Sequence, residues 1–396
     1  MQDLVIVIPD LYFPPGEAEA SFAARSSAAG PLHRGAVGGA LPPGFDHATR
    51  FGDKVALSDG WRSWLARWVG REDLAVAAPA AIAAGPALEA GPSGSSGGSA
   101  PARPEPGPSQ SARPEPVRSQ SARPEPGPSA AGLSAWIATP VYLIAGLTSI
   151  HADRRSLLRL PAADLARFSE DFARTFPGNE LVLKPIGSGE FIMLSAKMPH
   201  ALTTEPARAL VTDLNEALPT GPGAASLKRL GAEIEMWLHS HPLNQFRQQR
   251  GELPVSTLWL WGGGELESLP PASVAATVSD LAYGTDPYLT GLWHLLGSAP
   301  LPVPDNLADM IANSRAPRAA LVAEVTPLLH AHPEWTILEA LGELDRRFLS
   351  PALEGVRQGR IEQLTLILND RSFRVRRRDR LKFWRRRRPG LTRLQD

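Results

Sequence analysis

The stretch from Glu233 to Gly264 reads EIEMWLHSHPLNQFRQQRGELPVSTLWLWGGG and changes character three times. Apolar residues recur at the spacing of one helix face up to Leu238, and Pro242 is expected to stop that helix. A polar connection follows. The dense apolar run that begins at Val255 predicts a buried strand ending in three glycines. A helix, a connection and a strand in direct succession favour an α/β fold.

The polar connection and the glycines together predict an anion-binding pocket. Guanidinium groups bind phosphate and carboxylate in a bidentate geometry, and glycine backbone N–H groups allow a ligand to approach closely. The pocket would be formed by Asn244, Arg247, Arg250, Gly262, Gly263 and Gly264. We therefore expect a phosphorylated or carboxylate small molecule here. The alternative is that the two arginines pair with acids of the body and the glycines only turn the chain.

The composition is that of a folded protein with one unusual segment. The chain has 396 residues, 43% of them apolar and 21% charged, which allows about two domains or one large α/β domain with an insertion. Three copies of a decapeptide similar to SARPEPGPSQ begin at residue 101, and none contains a large apolar side chain that could be buried. Residues 85–132 are therefore predicted to be a disordered linker rich in Pro, Gly and Ser.

Strand and helix patterns alternate along the rest of the chain. This alternation predicts a layered α/β fold with a mixed sheet and flanking helices, interrupted by the linker. Residues 1–84 form the N-terminal part of the α/β domain, residues 133–370 its main part, and residues 371–396 a basic tail. The main predicted elements are strands at 4–8, 141–144, 180–185, 190–195, 274–278, 319–325 and 364–368, and helices at 60–69, 162–175, 205–217, 287–296, 305–313 and 335–356.

Sequence features that report on location favour the cytoplasm. The N-terminal MQDLVIVIPD lacks a charged segment and a cleavage site of a signal peptide, and it reads as a buried strand. The longest apolar stretch, residues 135–150, is too short for a transmembrane helix, so no transmembrane segment is predicted. Cysteine is absent, which excludes disulfides and thiolate metal sites and fits a reducing compartment.

The C-terminal segment is strongly basic. Between Arg371 and Arg388 there are eleven basic residues and one acid, which leaves 30 basic and 40 acidic residues in the rest of the chain. The segment could bind nucleic acid or an anionic membrane surface. The favoured alternative places Phe373 and Val375 in the core with arginines along a solvated edge. An acidic protein partner would then bind the remaining cluster, Arg385, Arg386, Arg387 and Arg388.

Candidates for catalysis and metal binding are few. His239 and His241 lie two positions apart, so they could share a metal with Asp10 only if the helix ends between them. Capping and packing are the more favoured roles for these histidines. The sequence contains no GxSxG, no phosphate-binding GxxxxGK[ST] and no GxGxxG motif.

The central stretch, the terminal LKFWRRRRP and the opening VIVIPD together resemble the bacterial RpfE-type family, which is described as related to cofactor-independent phosphoglycerate mutases. The resemblance implies an alkaline-phosphatase-like α/β fold and a regulatory role. In the mutase relatives, a Ser or Thr nucleophile acts beside two divalent metals held by Asp and His. Only Asp10 matches such a metal-binding position.

These observations favour a non-catalytic, cytoplasmic regulatory or ligand-sensing protein of RpfE type that needs no cofactor. One alternative is a divergent phosphoglycerate-mutase-like phosphoryl transferase that depends on Mn²⁺ or Mg²⁺. The other is association with nucleic acid or a membrane through the arginine-rich tail, with nucleic acid not favoured.

Overall fold

The computed structural model describes residues 1–11, 41–57, 60–71, 134–145, 150–152, 154–177, 181–195, 201–210, 214–265, 280–313 and 316–381. The predicted linker at 85–132, the strand expected at 274–278 and the Arg385–Arg388 cluster lie outside these residues. Within them, no helix combines the length and the apolar character that crossing a membrane requires.

The described strands are β1 Asp3–Ile8, β2 Asp53–Ala56, β3 Ser134–Val141, β4 Ile144–Ala145, β5 Ile150–His151, β6 Leu181–Ile186, β7 Glu190–Ser195, β8 Thr257–Glu265, β9 Leu281–Tyr283, β10 Arg318–Val322, β11 Gln363–Leu368 and β12 Arg371–Arg376. The described helices are α1 Pro43–Phe51, α2 Gly60–Trp68, α3 Ala162–Thr175, α4 Pro206–Ala209, α5 Ala224–His239, α6 Pro242–Gln249, α7 Pro287–Leu295, α8 Leu307–Asn313, α9 Thr326–Ala331, α10 Ile337–Leu344 and α11 Ser350–Gln358.

The strands form two larger sheets and one small pair. The large sheet has the order β2-β12-β11-β1-β10-β9, and its four strands β11, β1, β10 and β9 are parallel. Strand β12 runs antiparallel to both of its neighbours, which makes the sheet mixed. The second sheet, β6-β7-β3-β8, is entirely antiparallel, and β4 pairs with β5. The chain is therefore a mixed α/β protein with flanking helices, as the sequence predicts; the separate antiparallel sheet is not part of that prediction.

Strand β1 lies between β10 and β11 and is covered on both faces. Its side chains alternate, so that Leu4, Ile6 and Ile8 share a buried cluster with Phe45 of α1. The intervening Val5 and Val7 pack in a cluster on the opposite face; that cluster also contains Trp61, Tyr288 and Trp293. A continuous apolar run is typical of a parallel strand buried on both faces.

The second sheet is covered on one face by α3 and α5. Phe168 and Phe172 of α3 and Ile234 of α5 pack in one cluster with Trp136 and Met193 of the sheet. The sequence predicts α3 with the bounds that the structure has. Its amphipathic pattern explains this agreement, because the buried residues recur on one helical face.

Three predicted elements differ from the structure. The strand expected at 141–144 lies earlier, as β3, and the described residues of the helix expected at 205–217 form only the single turn of α4. The long helix expected at 335–356 is divided into α10 and α11 by a π-helical turn, Asp345–Leu349. Pro351 follows that turn and has no N–H to continue the regular hydrogen-bond ladder, which accounts for the change of winding.

The end of β8 requires glycine because the indole of Trp136 lies against it. A Cβ atom on Gly263 would lie 1.9 Å from Trp136 Nε1, and Trp136 is almost fully buried. Overpacking of a core typically costs about 1–3 kcal/mol, so we expect Gly263→Ala to lower the free energy of unfolding by that amount. Denaturant unfolding measures the loss.

Gly231→Ala on α5 is the matched control. A Cβ there meets no atom within 4 Å, and alanine favours a helix over glycine by up to about 1 kcal/mol. We expect this variant to be at least as stable as the parent chain. An equal loss in both variants would contradict the steric explanation.

Candidate functional site

Three acidic side chains follow the ends of parallel strands in the large sheet. Asp10 lies after β1, Glu324 after β10 and Asp286 after β9, where it caps α7 by accepting hydrogen bonds from the N–H groups of Tyr288 and Leu289. The carboxyl ends of parallel strands meet at one edge of a sheet, and this edge is where open α/β sheets bind ligands. The position therefore marks a candidate site.

The second sheet contributes to the same edge through Arg159. Its guanidinium lies 2.9 Å from Glu190, the first residue of β7, and 2.9 Å from Glu324 of the large sheet. Arg159 thus bridges the two sheets. We call the buried and partly buried charged group around it the strand-edge cluster; its members are Asp10, Arg62, Arg154, Arg159, Glu190, Glu205, Asp286 and Glu324.

Arg62 of α2 is held in the cluster by aromatic rings as well as by charge. Its guanidinium carbon lies 4.6 Å from the ring centres of both Trp61 and Trp261. It contacts the carboxylate of Glu205 at 3.0 Å and that of Asp286 at 4.0 Å. Stacking on indole suits a planar guanidinium, so the orientation of Arg62 is defined on several sides.

Hydrogen bonds fix the carboxylate of Glu190. The indole N–H of Trp261 donates to Thr139 Oγ1 at 2.9 Å, and the Thr139 hydroxyl donates in turn to Glu190 Oε1 at 2.6 Å. Ser188 donates to the other oxygen at 2.8 Å. These hydrogen bonds restrict the Glu190 side chain to the rotamer that contacts Arg159.

Asp10 is held by backbone N–H groups of the segment that follows β10. Its two carboxylate oxygens accept hydrogen bonds from the N–H groups of Val325, at 2.9 Å, and Thr326, at 2.6 Å. Arg154 donates to the Asp10 carbonyl oxygen. Asp10 therefore ties the end of β1 to the segment that follows β10.

Burial shifts the protonation equilibria of the cluster. Burial raises the pKa of Glu324 to about 7. The positive charge of Arg159 lowers this pKa, whereas the negative charges of Asp10 and Asp286 raise it further. Burial also raises the pKa of Asp286, against the opposing charge of Arg62. Burial alone would lower the pKa of Arg159, but Glu190 and Glu324 raise it above the ordinary guanidinium value. Within the cluster, Glu324 is thus the carboxylate whose pKa burial brings closest to neutral pH.

The space enclosed by the cluster is small. The cavity lined by Asp10, Arg159, Glu190 and Glu324 has a volume of about 30 Å³. Small-molecule sites usually measure about 300–1,000 Å³, whereas a cavity of this size holds little more than water. A metabolite could bind here only if the cluster opens.

The structure places the predicted anion-binding side chains on helix α6, not on a connection. Pro242 ends the preceding helix and also occupies the first turn of α6, where its missing N–H is tolerated. Asn244 is buried, and its amide donates to the carbonyls of Leu238 and Val255 and accepts from the Val255 N–H, at 2.8–2.9 Å. Its hydrogen bonds therefore join α5, α6 and the start of β8.

The two predicted arginines have acidic partners. Arg247 is buried and pairs with Asp164 of α3, while its Nε donates to the Leu253 carbonyl at 3.1 Å. Arg250 is about half exposed and contacts Glu252 at 2.8 Å. This arrangement corresponds to the alternative in which the arginines pair with acids of the body.

The three glycines lie at the other end of β8. Gly262 and Gly263 are separated from Val255 by most of a strand, which at about 3.3 Å per residue amounts to about 25 Å. The Gly262 N–H donates to Thr203 Oγ1 at 3.0 Å, and Gly264 pairs with Ala135. The structure therefore does not bring the glycines together with Asn244, Arg247 and Arg250 in one pocket.

The candidate metal ligands are also separated. His239 is exposed at the end of α5, and His241 is the N-cap of α6, where its Nδ1 accepts the N–H of Leu243 at 3.1 Å. His241 Nε2 lies 3.3 Å from Asp171, and burial lowers the pKa of the ring. Both histidines lie on the helical layer of the second sheet, whereas Asp10 ends β1 of the large sheet.

The strand-edge cluster does not fit the divalent metal that the resemblance implies. Both Asp10 oxygens already accept N–H groups, and the carboxylates of Glu190 and Glu324 contact Arg159. In the described part of the chain, no group of three or more His, Asp or Glu side chains is arranged to hold a metal ion. The positive charge among these carboxylates is that of the arginine guanidinium groups, not of a metal ion.

Sequence reasoning singled out one member of the cluster, Asp10, and missed the others. A signal existed for Glu324 and Asp286, because each follows a strand of the large sheet and precedes a helix. Local sequence gives no comparable signal for Arg159, whose partner Glu324 lies 165 positions away.

Comparisons with known proteins give a distant relationship. No protein-family model matches the sequence. A segment of 105 residues is 28% identical to the 2,3-bisphosphoglycerate-independent phosphoglycerate mutase of Methanothrix thermoacetophila; it represents 26% of this chain and 26% of that enzyme. The match thus spans about a quarter of the length of the curated relative.

Two solved structures are similar in outline. The cofactor-independent phosphoglycerate mutase from Thermoplasma acidophilum DSM 1728 is 14% identical, with coverage of 95% of this chain and 90% of that one and a TM-score of 0.33. The PH0037 protein from Pyrococcus horikoshii is 12% identical, with coverage of 94% and 86% and a TM-score of 0.42. The chain is distantly similar to cofactor-independent phosphoglycerate mutases.

Asn244→Asp tests whether Asn244 serves structure or ligand binding. The substitution removes the donor that satisfies the carbonyls of Leu238 and Val255 and buries a charge; one unsatisfied buried group costs about 1–3 kcal/mol. We expect a loss of at least that size in denaturant unfolding. Gln245→Glu, on the exposed side of α6, makes the same change of charge and should cost less than about 0.5 kcal/mol. Unchanged stability of Asn244→Asp with lost phosphate binding would instead support the predicted anion pocket.

The raised pKa of Glu324 predicts a pH-dependent stability. Between its ordinary pKa of 4.5 and its folded pKa of about 7, the folded state binds the proton more tightly than the unfolded chain does. The stabilisation is complete below the lower value and is lost as the pH rises through the upper one. Relative to Glu324→Gln, we expect the wild-type chain to lose free energy of unfolding from pH 5 to pH 8.

Urea unfolding at several pH values measures the difference in free energy of unfolding between wild type and Glu324→Gln. Titrating groups that both proteins contain, such as His241, contribute equally to each and cancel in the difference. Glu362→Gln, at an exposed position, should follow the wild-type curve. Parallel curves for wild type and Glu324→Gln would contradict the assignment of the proton to Glu324.

Proposed function

We propose that this chain is a non-catalytic, ligand-sensing protein whose recognition site is the strand-edge cluster and whose ligand is a phosphorylated or carboxylate small molecule. One observation carries the proposal: Arg159 contacts two carboxylates, and one of them, Glu324, has a pKa of about 7. A partly buried guanidinium whose partner can be neutralised is available to a competing anion.

Proton uptake by Glu324 provides the exchange step. When Glu324 is ionised, its carboxylate occupies one side of the Arg159 guanidinium at 2.9 Å. When Glu324 takes a proton, that attraction weakens, and an oxygen of a phosphate or carboxylate ligand can pair with the guanidinium instead. Ligand binding is therefore coupled to protonation.

The closed cavity connects binding with a change of shape. A ligand larger than water must open the space of about 30 Å³ between the sheets. Opening alters the contacts of Arg159, which joins β7 to the segment after β10. A ligand that binds the open form shifts the population towards it, which is the property that a sensor requires.

The contacts of the carboxylates support the non-catalytic part of the proposal. Asp10 accepts two backbone N–H groups, Glu190 contacts two hydroxyl groups and Arg159, and Glu205 contacts Arg62. Such a network gives these carboxylates structural partners, as the non-catalytic proposal requires. The regulatory role that the RpfE resemblance implies is compatible with this arrangement.

Phosphoglycerate-mutase-like phosphoryl transfer is the second candidate. The 105-residue match to a mutase favours it, and it would require Mn²⁺ or Mg²⁺. Association of Arg385–Arg388 with an acidic partner, nucleic acid or a membrane remains a prediction from sequence.

Titration of the full chain with 3-phosphoglycerate at pH 6 and pH 8 tests the proposal. If binding needs protonated Glu324, affinity should fall about tenfold between these values, in proportion to the competent fraction. Glu324→Gln should lack this tenfold loss and keep only the pH dependence of the ligand's own titration, and Arg159→Gln should bind at neither pH. Because the ligand's own titration is common to wild type and variant, Glu324→Gln separates the two effects, and Glu362→Gln is the neutral control.

The same samples distinguish the two candidates. Interconversion of 3- and 2-phosphoglycerate should stay at background with and without added Mn²⁺ or Mg²⁺. Metal-dependent turnover would contradict the non-catalytic proposal and establish the mutase alternative. If a calorimetric titration detects no binding of 3-phosphoglycerate at either pH, the sensor proposal is wrong for this ligand class.

A further inference from the structure

A second and larger cavity lies between α5 and the edge strand β8. Its volume is about 410 Å³, within the range of small-molecule sites, and its walls are mainly apolar. Leu227 of α5 and Leu258 and Leu260 of β8 form its inner wall, and Leu218 lies at its opening with 42% of its surface exposed. We call it the α5–β8 cleft. It shares no lining residue with the strand-edge cluster.

The cleft exists because the middle of one face of α5 carries two small residues, Gly231 and Ala232. Lys228, Gly231, Ala232 and Glu235 all line it and follow the spacing of one helical face. A Cβ atom on Gly231 would meet no atom within 4 Å, so the helix leaves open space opposite β8. The adjacent face of α5, with Leu230 and Ile234, is packed in the core instead.

The ends of this helical face carry opposite charges. Lys228 and Glu235 are two turns apart, which at about 1.5 Å per residue places them about 10 Å apart along the helix. An ammonium at one end favours a carboxylate, and the acidic group at the other end disfavours a second one. Between them the surface is apolar apart from hydroxyl and amide groups such as Thr257, which is 5% exposed.

From this geometry we propose that the α5–β8 cleft binds a monocarboxylate with an apolar body, such as a medium-chain acyl carboxylate, with its carboxylate at Lys228 and its chain between Gly231 and β8. The apolar chain removes the exposed walls of the cleft from water, and this burial provides most of the affinity. The positive Lys228 and the negative Glu235 favour a ligand with one carboxylate over a ligand with a carboxylate at each end. This inference is independent of the function proposed for the strand-edge cluster.

Thermal unfolding of the full chain with octanoate tests the proposal, since a ligand of the folded state raises Tm with concentration. We expect octanoate to raise Tm, and suberate, which has the same chain length and two carboxylates, to have at least tenfold weaker affinity. Lys228→Gln should weaken octanoate about fivefold and leave octanol unchanged, as expected for an exposed ion pair.

Filling the cleft is the decisive variant. Gly231→Met should place its side chain in the open space and abolish the Tm shift with both octanoate and octanol, whereas Gly231→Ala should retain it. Circular dichroism and 3-phosphoglycerate binding should be unchanged in Gly231→Met, so that failure here is distinct from failure at the strand-edge cluster. No shift with octanoate, or an undiminished shift in Gly231→Met, or equal affinity for suberate would overturn the proposal.

Discussion

The contact of Arg159 with Glu190 and Glu324 is the interaction on which the arrangement of the two sheets at this edge depends. A buried carboxylate without a partner is costly; Glu190 is buried and Glu324 is mostly buried where β7 and the segment after β10 approach each other. One guanidinium offers donors to both at once, which a lysine ammonium could not do with the same geometry. Because a buried ion pair recovers little more than its desolvation cost, its main effect is specificity. The two ion pairs place the carboxylates of β7 and of the segment after β10 around one guanidinium.

This interaction depends in turn on the apolar pattern of β1. The run from Leu4 to Ile8 has no polar side to present to water, so it must be covered on both faces. Parallel pairing with β10 and β11 provides that position in the middle of the sheet. The same pairing brings the ends of β1, β9 and β10 to one edge, and acids that are remote in sequence become neighbours there. The cluster is therefore a consequence of strand direction.

Elements whose signals are local could be predicted from the sequence, whereas the candidate site could not. Helix α3 and the hairpin of β11 and β12 follow from periodicity and a short turn at Asn369 and Asp370, because their information is contained in adjacent residues. Pro242 shows the limit of such reasoning, since the same residue is suited both to ending α5 and to beginning α6. Asn244 and Arg247 have the composition of a ligand site, but pairing with Val255 and Asp164 gives them structural partners. Arg159 and Glu324 lie 165 positions apart, and only the sheet topology reveals that they meet.

Saturation of hydrogen bonds separates the polar residues that hold this fold from those that can respond to a ligand. Asp10 and Asn244 each make two or more well-directed hydrogen bonds to backbone groups, which gives both a structural role. Glu324 differs because burial brings its pKa close to neutrality, and its two protonation states differ little in free energy there. In the function proposed above, such a group would exchange its contact with Arg159 for an incoming anion. The proposal therefore depends on the one carboxylate of the edge whose pKa burial raises to about 7, set among neighbours held by several hydrogen bonds.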